Sequence, residues 1–342
     1  MAAAHDEIVR AYGDSQQRAV LQTSLTVERL WRELATADLT GSWLRGLGAA
    51  MLRAVSAGQL LAASTGQSYV NAMVAADGLG QDYESGASRV NARALSGAAS
   101  DGRPLDSLLY LPVIRTKTLI QGGLTLQEAM TGGLFQLQRM VASEVADAGR
   151  GAAGVAMVGN RSVTGYVRMV RSGACGRCAI LAGRWYRYSA DFQRHKRCQC
   201  YGVPATEARP GRHLNPMSFF NNLSRAEQDR RFGVGGAEAI RNGADIYSVV
   251  NAGRSTATLD AYGRKVVATL EGTTRRGAFY RQMLQETEQR TGQRFARSFA
   301  DVQRGLPQFR LRTPRLTPGE IYRLSEDRAE LIRLLRRFGY LN

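Results

Sequence analysis

Cys175-Gly-Arg-Cys178, then sixteen residues, then His195-Lys-Arg-Cys198-Gln-Cys200 is the stretch that decides how the middle of this 342-residue chain folds. A Cys-x-x-Cys turn presents two thiolates to one metal ion, and a second pair brought alongside completes a tetrahedron. Gly183 supplies a turn between the two halves, and Arg184-Trp185-Tyr186-Arg187-Tyr188 reads as a returning strand. Five ligands compete for four positions. Cys198 and Cys200, two apart on a strand, face the same side and can both bind, leaving His195 behind them. Equally, His195 can replace one of them.

Zinc suits this thiolate and imidazole set. All four cysteines fall within residues 175–200, and nothing at the N-terminus, with Asp6 and Glu7, reads as a secretory leader. No window approaches the roughly 18 uninterrupted apolar residues of a spanning helix. A reducing compartment is therefore expected, and it disfavours disulfides. Four protein ligands leave no open position for water, and Asp191 is the only acid in residues 151–200. The expectation is one structural Zn2+ that substitutes for a core too thin to fold alone.

The charge is unevenly spread. The chain has 46 Lys and Arg against 29 Asp and Glu, a net of +17. Residues 1–150 hold 13 basic and 14 acidic residues, and residues 151–342 hold 33 and 15. Only Lys117, Lys196 and Lys265 are lysines. Arginine makes forked contacts with phosphate that lysine does not. Residues 151–200 carry nine basic residues and one acid, so Arg171, Arg177, Arg184, Arg187, Arg194, Lys196 and Arg197 are candidate contacts to a DNA backbone. A hydrophobic content of 44% excludes a wholly disordered chain.

The fold class expected is mainly α, with a small α+β zinc-binding segment, in several domains. Residues 1–150 read as a helical packing and docking domain. Val27, Leu30, Trp31 and Leu34 share one helix face; Leu44, Leu47, Met51, Ala54 and Val55 share a second. Residues 96–103 read as a loop closed by Pro104. Thr125 and Glu128 form a capping box ahead of the stripe Met130, Leu134, Leu137, Val141 and Val145. Gly149-Arg-Gly151-Ala-Ala-Gly154 matches a dinucleotide fingerprint on paper, but it follows a helix, so it reads as a flexible joint. Residues 151–206 form the expected β-rich zinc domain, with strands at Tyr166–Val170, Arg184–Tyr188 and Gln199–Val203.

Residues 207–312 read as a basic mixed region. It holds a capping box at Ser224 and Glu227, a helix from about Ala237 to Asn242, a strand at Val266-Val267 and a polar helix over Ala278–Arg290. Gly233-Val-Gly235-Gly236 reads as an interhelix turn. Residues 313–342 are an expected helical tail, started by Thr317-Pro318-Gly-Glu320. Leu331, Ile332, Leu335 and Phe338 form its stripe, and Gly339 stops it.

The runs Gly173-Ala-Cys175-Gly-Arg-Cys178-Ala-Ile-Leu-Ala-Gly-Arg-Trp-Tyr-Arg187 and Arg194-His195-Lys-Arg-Cys198-Gln-Cys200-Tyr-Gly-Val-Pro204 closely resemble the MuF-like minor head proteins of tailed phages, above all those of actinobacterial phages. The stretches Gly165–Val170, Phe219–Asn222, Glu227–Arg231, Gly236–Val250, Leu316–Tyr322 and Leu334–Tyr340 look similar too. Lys196 departs from the family, which usually has proline there. The resemblance implies a virion structural protein of the phage head interior, made in the host cytoplasm and active in head morphogenesis. Its partners would be the portal protein, the inner capsid surface and packaged double-stranded DNA, with no membrane and no small-molecule substrate. It would aid assembly, DNA packaging or ejection.

An enzyme is the alternative: a capsid maturation protease or a zinc-supported nuclease. The residues give it little. Of three histidines, His5 is terminal, His195 belongs to the metal motif and His213 lies in a Pro/Arg stretch with no nucleophile elbow nearby. Arg254-Ser-Thr256 with Glu286 and Glu288 only loosely resembles ADP-ribosyltransferase elements, and the two glutamates sit in the polar helix. No catalytic residue is assigned.

Overall fold

The computed structural model describes residues 2–78, 89–170, 174–190, 200–206, 215–261, 263–311 and 313–341. The chain is mainly helical with two small antiparallel sheets. It divides into two compact units: Met1–Gly173 with Gly183–His213, and Ala174–Ala182 with Leu214–Asn342.

In the first unit, α1 (Ala2–Arg32), α2 (Leu39–Ser42), α3 (Gly48–Ser64), α4 (Gly66–Ala76), α5 (Leu105–Gln121) and α6 (Leu126–Gly159) form a bundle. Trp31, Met51, Val55, Leu109, Leu137, Val141 and Val145 fill its core. The α6 stripe and the Thr125–Glu128 capping box stand as the spacing predicts. Leu44 does not: it is 76% exposed, while Trp43 is buried. Between α2 and α3 the chain makes one π-helical turn, Trp43–Leu47, in which Gly46 adopts φ 132°. The wider turn shifts the 3.6-residue register, so the stripe read from Leu44 onward starts on the wrong face. Leu39–Ala76 has the length and hydropathy of a spanning helix. In the bundle its Met51, Val55, Met73 and Val74 are enclosed by neighbouring helices.

The joint expected at residues 149–154 is absent, because α6 continues unbroken to Gly159. A Cβ at Gly149 would collide with the Gln16 side chain, and Tyr12 Oη donates to the Gly149 carbonyl at 3.0 Å. The missing side chain at Gly149 lets α1 lie close to α6. The boundary expected at residue 150 therefore falls inside a helix.

Beyond α6, β1 (Gly165–Met169) pairs antiparallel with β2 (Trp185–Arg187) on one side and β3 (Tyr201–Ala205) on the other. The three strands lie within a residue or two of their expected places. They do not form a separate domain over residues 151–206, since they belong to the helical unit. Three short strands have too little face to be stable alone. Here Val167 and Val203 are buried, and Tyr12 of α1, Tyr69 of α4 and Tyr201 of β3 make one aromatic cluster, with Tyr12 and Tyr69 stacked at 3.9 Å.

The second unit holds α7 (Gly176–Ala179), α8 (Pro216–Asn221), α9 (Arg225–Phe232), α10 (Val234–Arg241) and α11 (Ile246–Ala252). The hairpin β4 (Thr256–Ala261) and β5 (Arg264–Thr269) follows, then α12 (Ala278–Thr291), α13 (Phe299–Gln303), β6 (Arg315–Leu316), α14 (Pro318–Leu324) and α15 (Arg328–Arg337). The Ser224–Glu227 capping box opens α9, and Thr317 caps α14 with Pro318 in its first turn. Residues 313–342 are not a tail. Strand β6 pairs with β5, and Leu316, Ile321, Leu331, Leu335 and Phe338 share one core with Phe220, Ile240, Ile246, Val266 and Phe279.

Candidate metal centre and basic surface

The Cys-x-x-Cys turn is built locally. Cys175 is extended and caps α7; its carbonyl accepts the Cys178 and Ala179 amides, each at 3.0 Å. The chain thus doubles back over four residues, as a thiolate knuckle requires. Cys178 is buried and Cys175 half-buried, while Arg177 between them is exposed. The turn is seated on the end of α9. A Cβ at Gly176 would meet the Phe232 ring at 3.2 Å and the Arg231 carbonyl at 3.3 Å. Arg231, only 7% exposed at its side chain, donates through Nη1 to the Ala174 carbonyl and through Nη2 to Glu227 Oε1, both at 2.9 Å. Sequence reasoning missed Arg231; its local signal was only the Glu227–Arg231 spacing of an ordinary helix pair.

Cys200 lies just ahead of β3 and is fully buried. Arg168 of β1, itself 1% exposed, places Nη2 3.6 Å from the Cys200 sulfur, and Arg150 Nη1 donates to the Cys200 carbonyl at 3.4 Å. His195 and Cys198 lie outside the described residues, as do Arg171, Arg194, Lys196, Arg197 and His213. Among the described residues no group of three or more His, Cys, Asp or Glu is placed to hold a metal. Thiolate is a donor type that suits zinc, and Cys175 with Cys178 offers two of them on one turn.

Arg184, just ahead of β2, and Arg187, its last residue, are exposed, and β2 is an edge strand of its sheet. The Arg184 guanidinium lies 5.4 Å from the centre of the Tyr186 ring, which stacks in turn on Tyr166 at 5.5 Å. An arginine laid over an aromatic face keeps its N–H edge available to an oxyanion.

Glu144, on α6, lines a cavity of about 500 Å3 in the first unit with Asp147, Arg150, Tyr166 and Tyr188. Burial raises its carboxyl above the ordinary range, against the lowering effect of its bonds from Ser100, while Asp147 and Asp101 add to the rise. Both oxygens are held by Ser100, from its amide at 2.7 Å and its hydroxyl at 3.0 Å. The carboxylate therefore serves as a cap for the loop of residues 98–103. Glu288, of the polar helix α12, is bonded to the Phe295 amide and to Arg297, which lower its pKa as backbone and ion-pair partners do on any surface.

The chain matches no family model, no curated protein and no solved structure.

Proposed function

We propose that this protein is a MuF-like minor head protein of a tailed phage, a structural component of the head interior that docks near the portal and the inner capsid surface and holds packaged duplex DNA through non-specific phosphate contacts. The observation that carries this reading beyond the sequence resemblance is the exposed pair Arg184, just ahead of edge strand β2, and Arg187, its last residue, with Arg184 laid over Tyr186. Phosphate contacts need that geometry and no base-reading element.

One Zn2+, held by four of Cys175, Cys178, His195, Cys198 and Cys200, would supply a fixed cross-link and no catalytic water. Arg231 and Gly176 orient the knuckle, and Arg168 holds the Cys200 sulfur. In this reading the protein works by binding and positioning.

The test is salt-dependent retention of the full chain on non-specific duplex DNA. Replacing Arg184 and Arg187 together by alanine should lower the slope of log affinity against log salt by about 2. A slope unchanged by the substitutions, or retention indifferent to salt, overturns the DNA contact. Metal analysis of reduced protein should find about one zinc per chain, and a metal-free protein of unchanged fold overturns the zinc site. Disrupting the portal in purified heads should release the protein; its retention there overturns the placement.

A further inference from the structure

The hairpin of the second unit leaves one strand edge open. In the sheet ordered β4-β5-β6, β4 is an edge strand, and every described residue from Thr256 to Asp260 is exposed. The register pairs Ala261 with Arg264, Leu259 with Val266 and Ala257 with Ala268, and the Leu270 amide continues the ladder by donating to the Ser255 carbonyl at 3.0 Å. In an antiparallel ladder hydrogen-bonded and non-bonded pairs alternate. The odd-numbered residues of β4 therefore spend their amides and carbonyls on β5. Thr256, Thr258 and Asp260 turn theirs outward, and among the described residues nothing takes them up.

The same odd-numbered residues point their side chains to the inner face, on the side of buried Val266 and Ala268. They overhang it. Ala257, Leu259 and Ala261 form one wall of a groove of about 810 Å3, and Tyr280, Arg310 and Leu311 contribute to the rest of its lining. Tyr280 Oη donates to the Phe309 carbonyl at 3.1 Å, which pins the chain leading into that segment. Leu259, inside the groove lining, is 42% exposed. An unpaired strand edge and an apolar trough thus run side by side. One added strand would use both, its backbone on Thr256, Thr258 and Asp260 and its alternate side chains in the trough.

Charge selects the occupant. Arg254, Arg264, Lys265 and Arg310 are exposed around the strand and groove, and none has an ion-pair partner among the described residues; Asp260 is the only acid on the hairpin. The unit as a whole carries 23 Arg and Lys against 13 Asp and Glu. A second copy would bring like charge against like charge, whereas an acidic chain is attracted. Duplex DNA would meet the cations but has no side chains for the trough.

We propose that β4 is a docking edge for an extended segment of another protein, apolar at alternate positions and acidic between them, taken up by strand addition. This proposal does not depend on the head-protein reading.

The probe is a fluorescein-labelled ten-residue peptide of alternating valine and glutamate, read by anisotropy on the full chain, beside a valine–lysine peptide and a copy with proline at two central positions. Thr258→Pro removes one outward amide and leaves the bonds to β5 intact, because proline is tolerated at such edge positions. It should weaken the valine–glutamate peptide about tenfold, the loss of roughly one backbone hydrogen bond. Leu259→Asp, at an exposed site, should weaken it at least as much through the trough and the charge. Far-ultraviolet circular dichroism checks that both variants fold. Equal binding of the acidic and basic peptides, full binding by the proline copy, or no effect of Thr258→Pro overturns the proposal. So does duplex DNA as the preferred ligand, or self-association of the chain that Thr258→Pro abolishes.

Discussion

The hydroxyl of Tyr201 donates to the carbonyl of Val9 at 3.0 Å across 192 positions of the chain, and both groups are buried. That bond ties the strand following Cys200 to the first helix. Tyr69 does the same from α4, donating to the Gly202 carbonyl at 3.0 Å. The sheet is held on the helical bundle by three tyrosines, Tyr12 stacked on Tyr69 and Tyr201 edge-on to both, whose hydroxyls each reach a main-chain acceptor. Tyr201→Phe keeps the ring and removes the donor, leaving the Val9 carbonyl buried and unbonded. A loss of about 1 kcal/mol in urea unfolding is expected. A loss indistinguishable from zero would mean the carbonyl finds another donor.

Arg315 is the corresponding centre of the second unit. It is 2% exposed and donates to the carbonyls of Phe338, Gly339 and Glu271 and to the Ser248 hydroxyl, with its guanidinium 3.9 Å from the centre of the Tyr340 ring. Burial lowers its pKa, and nearby Glu271 and Tyr340 pull the other way. Arg315→Met keeps apolar bulk but leaves four acceptors without their donor, so it should cost about 3 kcal/mol of stability. A variant within about 0.5 kcal/mol of the parent would show that these bonds are readily replaced.

Glu144 gives a pH dependence with a definite sign. Its folded-state pKa is raised above the ordinary glutamate range, chiefly by burial. Folding therefore favours the protonated acid, and that contribution is complete below the unfolded value and is lost as pH rises through the folded one. Glu144→Gln stays neutral throughout. Its stability relative to the parent should improve as pH rises above the ordinary glutamate range, followed by thermal unfolding at a series of pH values. A constant difference, or one of opposite sign, refutes the assignment.

In the proposed zinc site Arg231 would position the knuckle without being a ligand. Arg231→Met should weaken zinc binding about tenfold, as outer-shell substitutions do, in competition with a chromophoric chelator. Arg230→Met, at a side chain 71% exposed, should leave it unchanged. Equal effects from both, or none from Arg231→Met, would show that the Ala174 carbonyl does not need its donor.

Short-range chemistry was legible. Thr125 with Glu128 and Ser224 with Glu227 cap their helices as read, because a capping box is decided within four residues. The three strands around the cysteines were placed within a residue or two for the same reason. Leu44 was misplaced because a π turn leaves no mark on apolar spacing. The glycines at 149–154 looked like a joint because the residue that requires Gly149 is Gln16, on another helix. The open edge of β4 had no sequence signature beyond Val266-Val267 on its neighbour.

What the sequence alone determined is local: the helical character, the cap positions, the Cys-x-x-Cys turn and the gathering of basic charge after residue 150. Each depends on neighbours a few positions apart and on chemistry that each side chain carries with it. Tertiary structure alone decided the grouping. It put the β1–β3 sheet with the helices, put residues 174–182 and 313–341 into the second unit, and assigned Arg231 and Arg315 their acceptors. A three-stranded sheet or a terminal helix buries too little surface alone, and the partner that completes its core lies too far along the chain for any local pattern to name.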